Sequence, residues 1–290
     1  MFTQNILFSD GVPFYADETV EDLQRAGLRL LQKKNGFRFG TDSVLLAAYA
    51  AGLYAATPQK SLLAADLGAG CGAVTLLLAA RMPGVRIMSI EQDRASTDVL
   101  RRNIALNRLG DRVRAYPADI RSLAGSDWPL ADLPRHACDL VVANPPYRLP
   151  GHGAAPATDS RRQAREEGSL PLGDLFRAAA GLLKPRGRLV LVHQAHRLPD
   201  VVRLLHDSQF AAKTLRPVQA LAQKAPGIFL LAAVYQGRPG GFCLEKPLLV
   251  QTKPGVLDAE TAAWYGHETP LPEKALHLGL VRHQGPAPDC

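Results

Sequence analysis

From about residue 60 onward the chain alternates short apolar strands with helical stretches, and this alternation leaves few folds open. Residues 62–67 read as a buried strand, followed by the turn Gly68-Ala-Gly-Cys-Gly72 and an apolar helix over 73–81. A second strand spans 86–91 after Pro83-Gly84, and a helix over 95–109 carries Arg101, Arg102 and Arg108 on its polar positions. Strand three covers 113–119, and strand four is the apolar run Cys138-Asp-Leu-Val-Val-Ala, which delivers Asn144-Pro145-Pro146-Tyr147 at its carboxyl end. Strands joined through helices must lie parallel, so the pattern predicts an α/β fold whose sheet is covered by helices on both faces. Further on, a helix over 174–184, a turn at Pro185-Arg-Gly187 and strands over 188–194, 213–219 and 227–236 bring the sheet to seven strands. The last two strands lie close enough in sequence to pair antiparallel.

Flanking segments are less regular. Residues 1–24 end in an acidic patch, Asp17, Glu18, Glu21 and Asp22, which reads as a solvated lead-in. Asn35-Gly36 is the strongest short hairpin signal in the chain, flanked by residues 28–34 and 36–40. Thr41 or Asp42 is then placed to cap an apolar helix over 43–54, and Pro58 closes the segment. After Gly237, prolines and glycines break any periodicity. The expected organisation is a lead-in with hairpin and helix over 1–58, a sheet domain over 59–237, and an irregular extension over 238–290.

A formal charge of +7 suits an anionic partner and equally a solvated basic surface. Cys71, Cys138, Cys243 and Cys290 are scattered with no C-x-x-C pair, which argues against a zinc site or a disulfide framework and for reduced thiols. The longest apolar stretch, residues 44–56, is too short to span a bilayer, so a cytoplasmic protein is expected. His193-x-x-His196 straddles a strand end without an evident third ligand, so no metal is expected.

Chemistry concentrates at the carboxyl ends of the strands. Gly68-x-Gly70-x-Gly72 lets the backbone turn sharply and approach a ligand where side chains, Ala69 excepted, are absent. The loop alone is a weak signal, equally met by a plain strand-to-helix turn. Glu91, with Gln92 behind it, ends strand two, where a carboxylate can accept both hydroxyls of a ribose. Asp119 and Ile120 end strand three as a polar and apolar pair suited to the edge and face of an adenine. Asp66 would be costly to bury without partners and is placed to receive loop N–H groups or a ligand ammonium.

In Asn144-Pro145-Pro146-Tyr147 the Asn144 and Pro145 carbonyls can accept two protons from one exocyclic amine. Accepting both turns the nitrogen lone pair out of conjugation, so the nitrogen becomes a better nucleophile through positioning and electrostatics, without a strong base. Tyr147 offers a stacking face for a flat substrate. Arg161, Arg162 and Arg165, in the loop that follows, are placed to hold phosphates, although a solvated loop accounts for them equally.

Asp66-Leu-Gly-Ala-Gly-Cys-Gly72 with Glu91, Asp119 and Asn144-Pro-Pro-Tyr147 resembles the S-adenosylmethionine-dependent amino-methyltransferases of the Rossmann-like class I fold. Gly36-Phe-Arg-Phe-Gly-Thr-Asp-Ser-Val-Leu-Leu46 and the later Lys224-Ala-Pro-Gly-Ile-Phe narrow the resemblance to the bacterial valine-tRNA adenine-N6 methyltransferases. The resemblance implies S-adenosyl-L-methionine as cofactor and a tRNA adenine as substrate. It assigns Asp66, Gly68, Ala69, Gly70, Glu91, Gln92, Asp119, Ile120 and Asn144 to the cofactor, with Arg38 and Asp42 beside it. It assigns Asn144, Pro145, Pro146 and Tyr147 to the target amine. Protein glutamine N5 or rRNA guanine N2 could use the same edge. A nicotinamide dehydrogenase satisfies the loose glycine fingerprint but leaves Asn144 to Tyr147 without a role, and an RNA-binding module without a methyl-donor pocket is the non-enzymatic alternative.

Overall fold

The computed structural model describes residues 6–35, 39–56, 62–125, 128–130, 132, 134–145 and 171–266. Its chain order begins with two hairpins, β1 (Ile6–Ser9) with β2 (Val12–Tyr15) and β3 (Glu18–Asp22) with β4 (Arg29–Lys33), and then α1 (Thr41–Gly52). The alternating part follows as β5 (Leu63–Leu67), α2 (Ala73–Arg81), β6 (Arg86–Glu91), α3 (Arg94–Leu106), β7 (Val113–Pro117), β8 (Cys138–Ala143) and α4 (Leu172–Leu182). β9 (Leu183–Gln194), α5 (Leu198–Asp207), β10 (Phe210–Gln219) and β11 (Ile228–Tyr235) complete it. After these come β12 (Cys243–Leu244), β13 (Leu248–Leu249), the hairpin of β14 (Gln251–Lys253) with β15 (Val256–Leu257), and α6 (Ala259–Tyr265).

The seven expected strands lie in the order β10-β11-β9-β8-β5-β6-β7, and β12 and β13 each add a short parallel ladder on the outer side of β10. Ladders from β9 through β7 are parallel, while β11 runs antiparallel to both β9 and β10. Central strands are buried on both faces, which is why they read as near-continuous apolar runs. Along β8, Leu140 and Val142 pack with α1 and α2, while Val141 and Ala143 pack with α4 and α5, the period-two alternation of a strand. The turn expected at Pro185-Arg-Gly187 lies inside β9: its ladder with β8 jumps from Cys138↔Leu183 to Leu140↔Arg188. A Cβ at Gly187 would stand 2.9 Å from the Lys184 carbonyl oxygen, so this bulge requires glycine there.

Three expectations about the first 54 residues are corrected. β4 pairs with β3 and, among the described residues, with no strand after Asn35; residues 36–38 of the expected hairpin lie outside the described residues, and Phe39-Gly40 lead directly into α1. Neither Thr41 nor Asp42 caps α1; Gly40 holds the N-cap position, with no side-chain cap bond. The acidic lead-in is not uniformly solvated, because Glu18 is 3% exposed and forms a two-point ion pair with Arg102 of α3 at 2.6 and 2.7 Å. Burial alone would raise the Glu18 carboxyl, but Arg102 and the Tyr15 N–H hold it below the ordinary carboxylate range.

Next to Arg102 and at the end of α3, two asparagines, Asn103 and Asn107, act as a surrogate strand for β4. The Leu31 N–H donates to Asn103 Oδ1 at 2.6 Å and Asn103 Nδ2 returns a bond to the Leu31 carbonyl at 2.8 Å. Asn107 does the same with the N–H and carbonyl of Arg29, at 2.9 and 2.7 Å. Four main-chain groups at the edge of β4 are thereby satisfied without a neighbouring strand. At the other end, the segment after Gly237 docks through the Tyr49 hydroxyl, which donates to Glu245 at 2.7 Å, and through a two-point ion pair of Arg216 with Glu260. Trp264 of α6 is buried in the same core as α1 and α2.

Candidate active site

The register of the parallel ladders sets the site. Leu67 of β5 stands opposite Ile90 of β6 and Ala143 of β8, and Glu91 opposite Pro117 of β7. The residues that follow these strand ends, Gly68, Gln92, Asp119 and Asn144, therefore leave the sheet along one edge, where ligands of doubly wound folds bind.

The glycine loop is held by its neighbours. N–H groups of Gly68 and Ala69 both donate to the Ile90 carbonyl, at 2.9 and 3.0 Å. Gly70 N–H donates to Glu91 Oε2 at 2.9 Å, and Asn103 Nδ2 reaches the Cys71 carbonyl at 2.8 Å. Gly72, at φ +94°, closes the turn; a Cβ there would stand 2.5 Å from Leu100 Cδ1. Gly70, at φ +57°, has nothing within 4 Å of such a Cβ, so the loop leaves open space beside its backbone.

Glu91 also accepts from the Asp93 N–H through Oε1 at 2.8 Å, so each carboxylate oxygen holds a main-chain amide. Burial pushes the Glu91 carboxyl up, and the backbone N–H groups oppose that rise only in part. Gln92 beside it is exposed. Asp119 caps the short 3-10 turn Ile120–Ala124 and pairs with Arg121 at 2.6 Å, which holds its carboxyl below the ordinary range, while Ile120 is buried.

Asp66 is 1% exposed, and the donor it meets within the protein lies in α2 and not in the glycine loop. Its Oδ2 accepts from the Thr75 hydroxyl at 2.7 Å, and the Thr75 main-chain N–H, in the first turn of α2, also donates to the carboxylate. The Thr75 and Ser89 hydroxyl oxygens are 2.7 Å apart. Thr75 has a single proton and gives it to Asp66, so Ser89 is the donor to Thr75, and a chain Ser89→Thr75→Asp66 runs under the loop. Burial drives the Asp66 carboxyl up to about 7 against the pull of Thr75.

Asn144 is half-buried at the end of β8 with Pro145 buried after it, and its Nδ2 faces the Ser43 hydroxyl of α1 at 3.4 Å. Asp42 is half-buried in the same first turn. Arg38, Pro146, Tyr147, Arg161, Arg162 and Arg165 lie outside the described residues. Sequence reasoning missed Ser43, Thr75, Ser89 and Asn103; each is an ordinary polar residue within a helix or strand, and only the tertiary fold reveals its partner. His193 is buried with Nδ1 accepting from the Gln194 N–H, and His196 is exposed on the next turn. Among the described residues no group of three or more His, Cys, Asp or Glu could hold a metal ion, and no helix is long and apolar enough to cross a membrane.

Comparison with known proteins agrees with this geometry. The methyltransferase small domain family matches residues 50–214. A tRNA1(Val) (adenine(37)-N6)-methyltransferase of Porphyromonas gingivalis strain W83 is 35% identical over 196 residues, covering 65% of this chain and 71% of the relative. Another protein of that name, from Cronobacter sakazakii, is 31% identical over 227 residues, covering 73% and 86%. A solved predicted O-methyltransferase from Agrobacterium tumefaciens shares the fold with a TM-score of 0.62 at 19% identity, over 78% of this chain and 96% of that one. The glycine loop facing a strand-end glutamate and the asparagine-proline strand exit lie within the matched region, and the chain belongs to the methyltransferase small domain family, among the tRNA1(Val) adenine-N6 methyltransferases.

Proposed function

We propose that this protein methylates the exocyclic N6 of an adenine in tRNA, using S-adenosyl-L-methionine and working in the cytoplasm. The observation that supports it most is the alignment along one sheet edge of the Gly68 loop, Glu91 and the Asn144-Pro145 exit. The relatives' names supply the substrate class, and the residues fit the cofactor. The left-handed Gly70 leaves open space beside the loop, and the Glu91 carboxylate at the strand end is proposed to accept from the ribose hydroxyls. Asp119 and the buried Ile120 would flank the adenine ring.

When bound, the cofactor supplies an electrophilic methyl group on its sulfonium. Asn144 Oδ1 and the Pro145 carbonyl accept the two protons of the target amine, which turns its lone pair out of the ring plane. No strong base is required, because the methylated amine is acidic enough to release its surplus proton to solvent. An adenine stacked within the tRNA must be turned out to reach this edge. Tyr147 is proposed to stack on it, and Arg161, Arg162 and Arg165 to hold neighbouring phosphates.

The test is nucleoside analysis of tRNA from a strain lacking this protein after incubation with purified protein and labelled methyl donor. Label in N6-methyladenosine is expected. Label in N2-methylguanosine, or only in protein, would overturn the adenine assignment.

A further inference from the structure

The first turn of α1 touches two parts of the molecule that the chain keeps far apart. On one side, Ser43, 3% exposed, faces Nδ2 of Asn144 at 3.4 Å. On the other, the Tyr265 hydroxyl of α6 donates to Thr41 Oγ1 at 2.9 Å, across 224 residues of chain. Both contacts lie outside the stretch matched by the family, residues 50–214, apart from Asn144 itself.

We infer that Ser43 and Tyr265 are positioning residues for methyl transfer: the first turn of α1, latched by Tyr265, orients the Asn144 carboxamide through Ser43. This rests on the reading of Asn144 as an acceptor for the amine. A carboxamide presents an oxygen on one side and an NH₂ on the other, and a half-turn about its terminal bond exchanges them. A primary amine in its reactive orientation offers protons, so only the state with Oδ1 toward the substrate is productive. In the structure it is Nδ2 that meets Ser43.

Gly40 gives α1 no side-chain cap, so its first turn depends on outside contacts to stay in place. The latch is fixed at its far end. Asp258 caps α6 by accepting from the Glu260 N–H, Glu260 holds Arg216 at 2.7 Å through both oxygens, and the Arg216 guanidinium lies 5.3 Å above the ring of buried Trp264. Tyr265, next in sequence, therefore projects its hydroxyl from an anchored helix. Burial pushes that hydroxyl up from its ordinary range, so it remains a proton donor through neutral pH.

The experiment compares Ser43→Ala, Tyr265→Phe, the double variant and Asn144→Ala with wild type. It measures the single-turnover methyl-transfer rate on tRNA, KM for tRNA, affinity for S-adenosylhomocysteine and the thermal midpoint. Ser43→Ala is expected to slow transfer about tenfold, the scale of a modest misplacement of a reacting group. Tyr265→Phe should slow it about threefold, near the worth of one neutral hydrogen bond. KM and cofactor affinity should stay within about twofold, and the double variant should be faster than the product of the two effects predicts. Rates within about twofold of wild type in both single variants, with Asn144→Ala inactive, overturn the inference and leave the amine edge standing. A parallel loss of cofactor affinity also overturns it. Asn144→Ala at wild-type rate overturns the amine edge and the inference with it. Should Ser43→Ala fail to fold, Tyr265→Phe, which removes only a half-buried hydroxyl, decides the matter alone.

Discussion

The Thr75 hydroxyl donates to Asp66 Oδ2 at 2.7 Å in a space where neither side chain exceeds 1% exposure. Thr75 stabilises the carboxylate, yet burial outweighs it and holds the carboxyl near 7. An unfolded aspartate titrates at about 3.9. Because the folded value is the higher one, the folded state binds the proton more tightly, so this group's contribution to stability is complete below about pH 4 and is lost as pH rises through about 7. Denaturant unfolding between pH 4 and 8 should show that decline, at up to about 1.4 kcal/mol per pH unit. Asp66→Asn should flatten it, and Thr75→Val should extend it to higher pH. An unchanged slope in Asp66→Asn would show that Asp66 does not titrate there.

Asn103 holds both the edge of β4 and the Cys71 carbonyl of the glycine loop, whereas Asn107 holds β4 alone among these two. Asn103→Ala strands buried main-chain groups, each costing about 1–3 kcal/mol. It should lower the thermal midpoint and weaken S-adenosylhomocysteine binding. Asn107→Ala should lower the midpoint and leave binding within about twofold, the spread expected of a site it does not touch. Equal binding losses in calorimetry would refute the distinction.

Two glycines of one loop should respond differently to alanine. At Gly72 the new Cβ meets Leu100 Cδ1 at 2.5 Å in a left-handed backbone, so Gly72→Ala should cost stability by about 1–3 kcal/mol. At Gly70 the Cβ meets no protein atom, and the left-handed strain costs about 1–2 kcal/mol, but the methyl group enters the space beside the loop. Gly70→Ala should therefore lose more cofactor affinity, relative to its melting shift, than Gly72→Ala. Thermal melts with and without S-adenosylhomocysteine compare the two.

What was legible in the sequence follows from how far each interaction reaches along the chain. Residues 62–143 are readable because parallel strands buried on both faces are apolar runs and their glycine turn marks the strand-to-helix switch. The same local logic fails at the N-terminus. Asn35-Gly36 is a strong hairpin signal, yet β4 takes its partner from β3 and its other edge from Asn103 and Asn107, more than 70 residues away. Glu18 reads as one of several surface acids until Arg102 of α3 is brought against it. At the sheet edge, Glu91 and Asn144 stand at strand ends that the apolar runs before them mark, whereas the hydroxyl that Asp66 meets comes from a helix residue. Thr75 is nine residues from Asp66 and carries no pattern of its own.

The Asn144 and Pro145 carbonyls are proposed to hold the amine that is methylated. The most direct measurement is the single-turnover rate of methyl transfer to tRNA by Asn144→Ala, with S-adenosylhomocysteine affinity measured on the same preparation. A loss of about 100-fold or more in rate, the scale for removing one preorganised polar contact, with cofactor affinity retained, is the predicted result. Transfer at near wild-type rate with the cofactor still bound would contradict it.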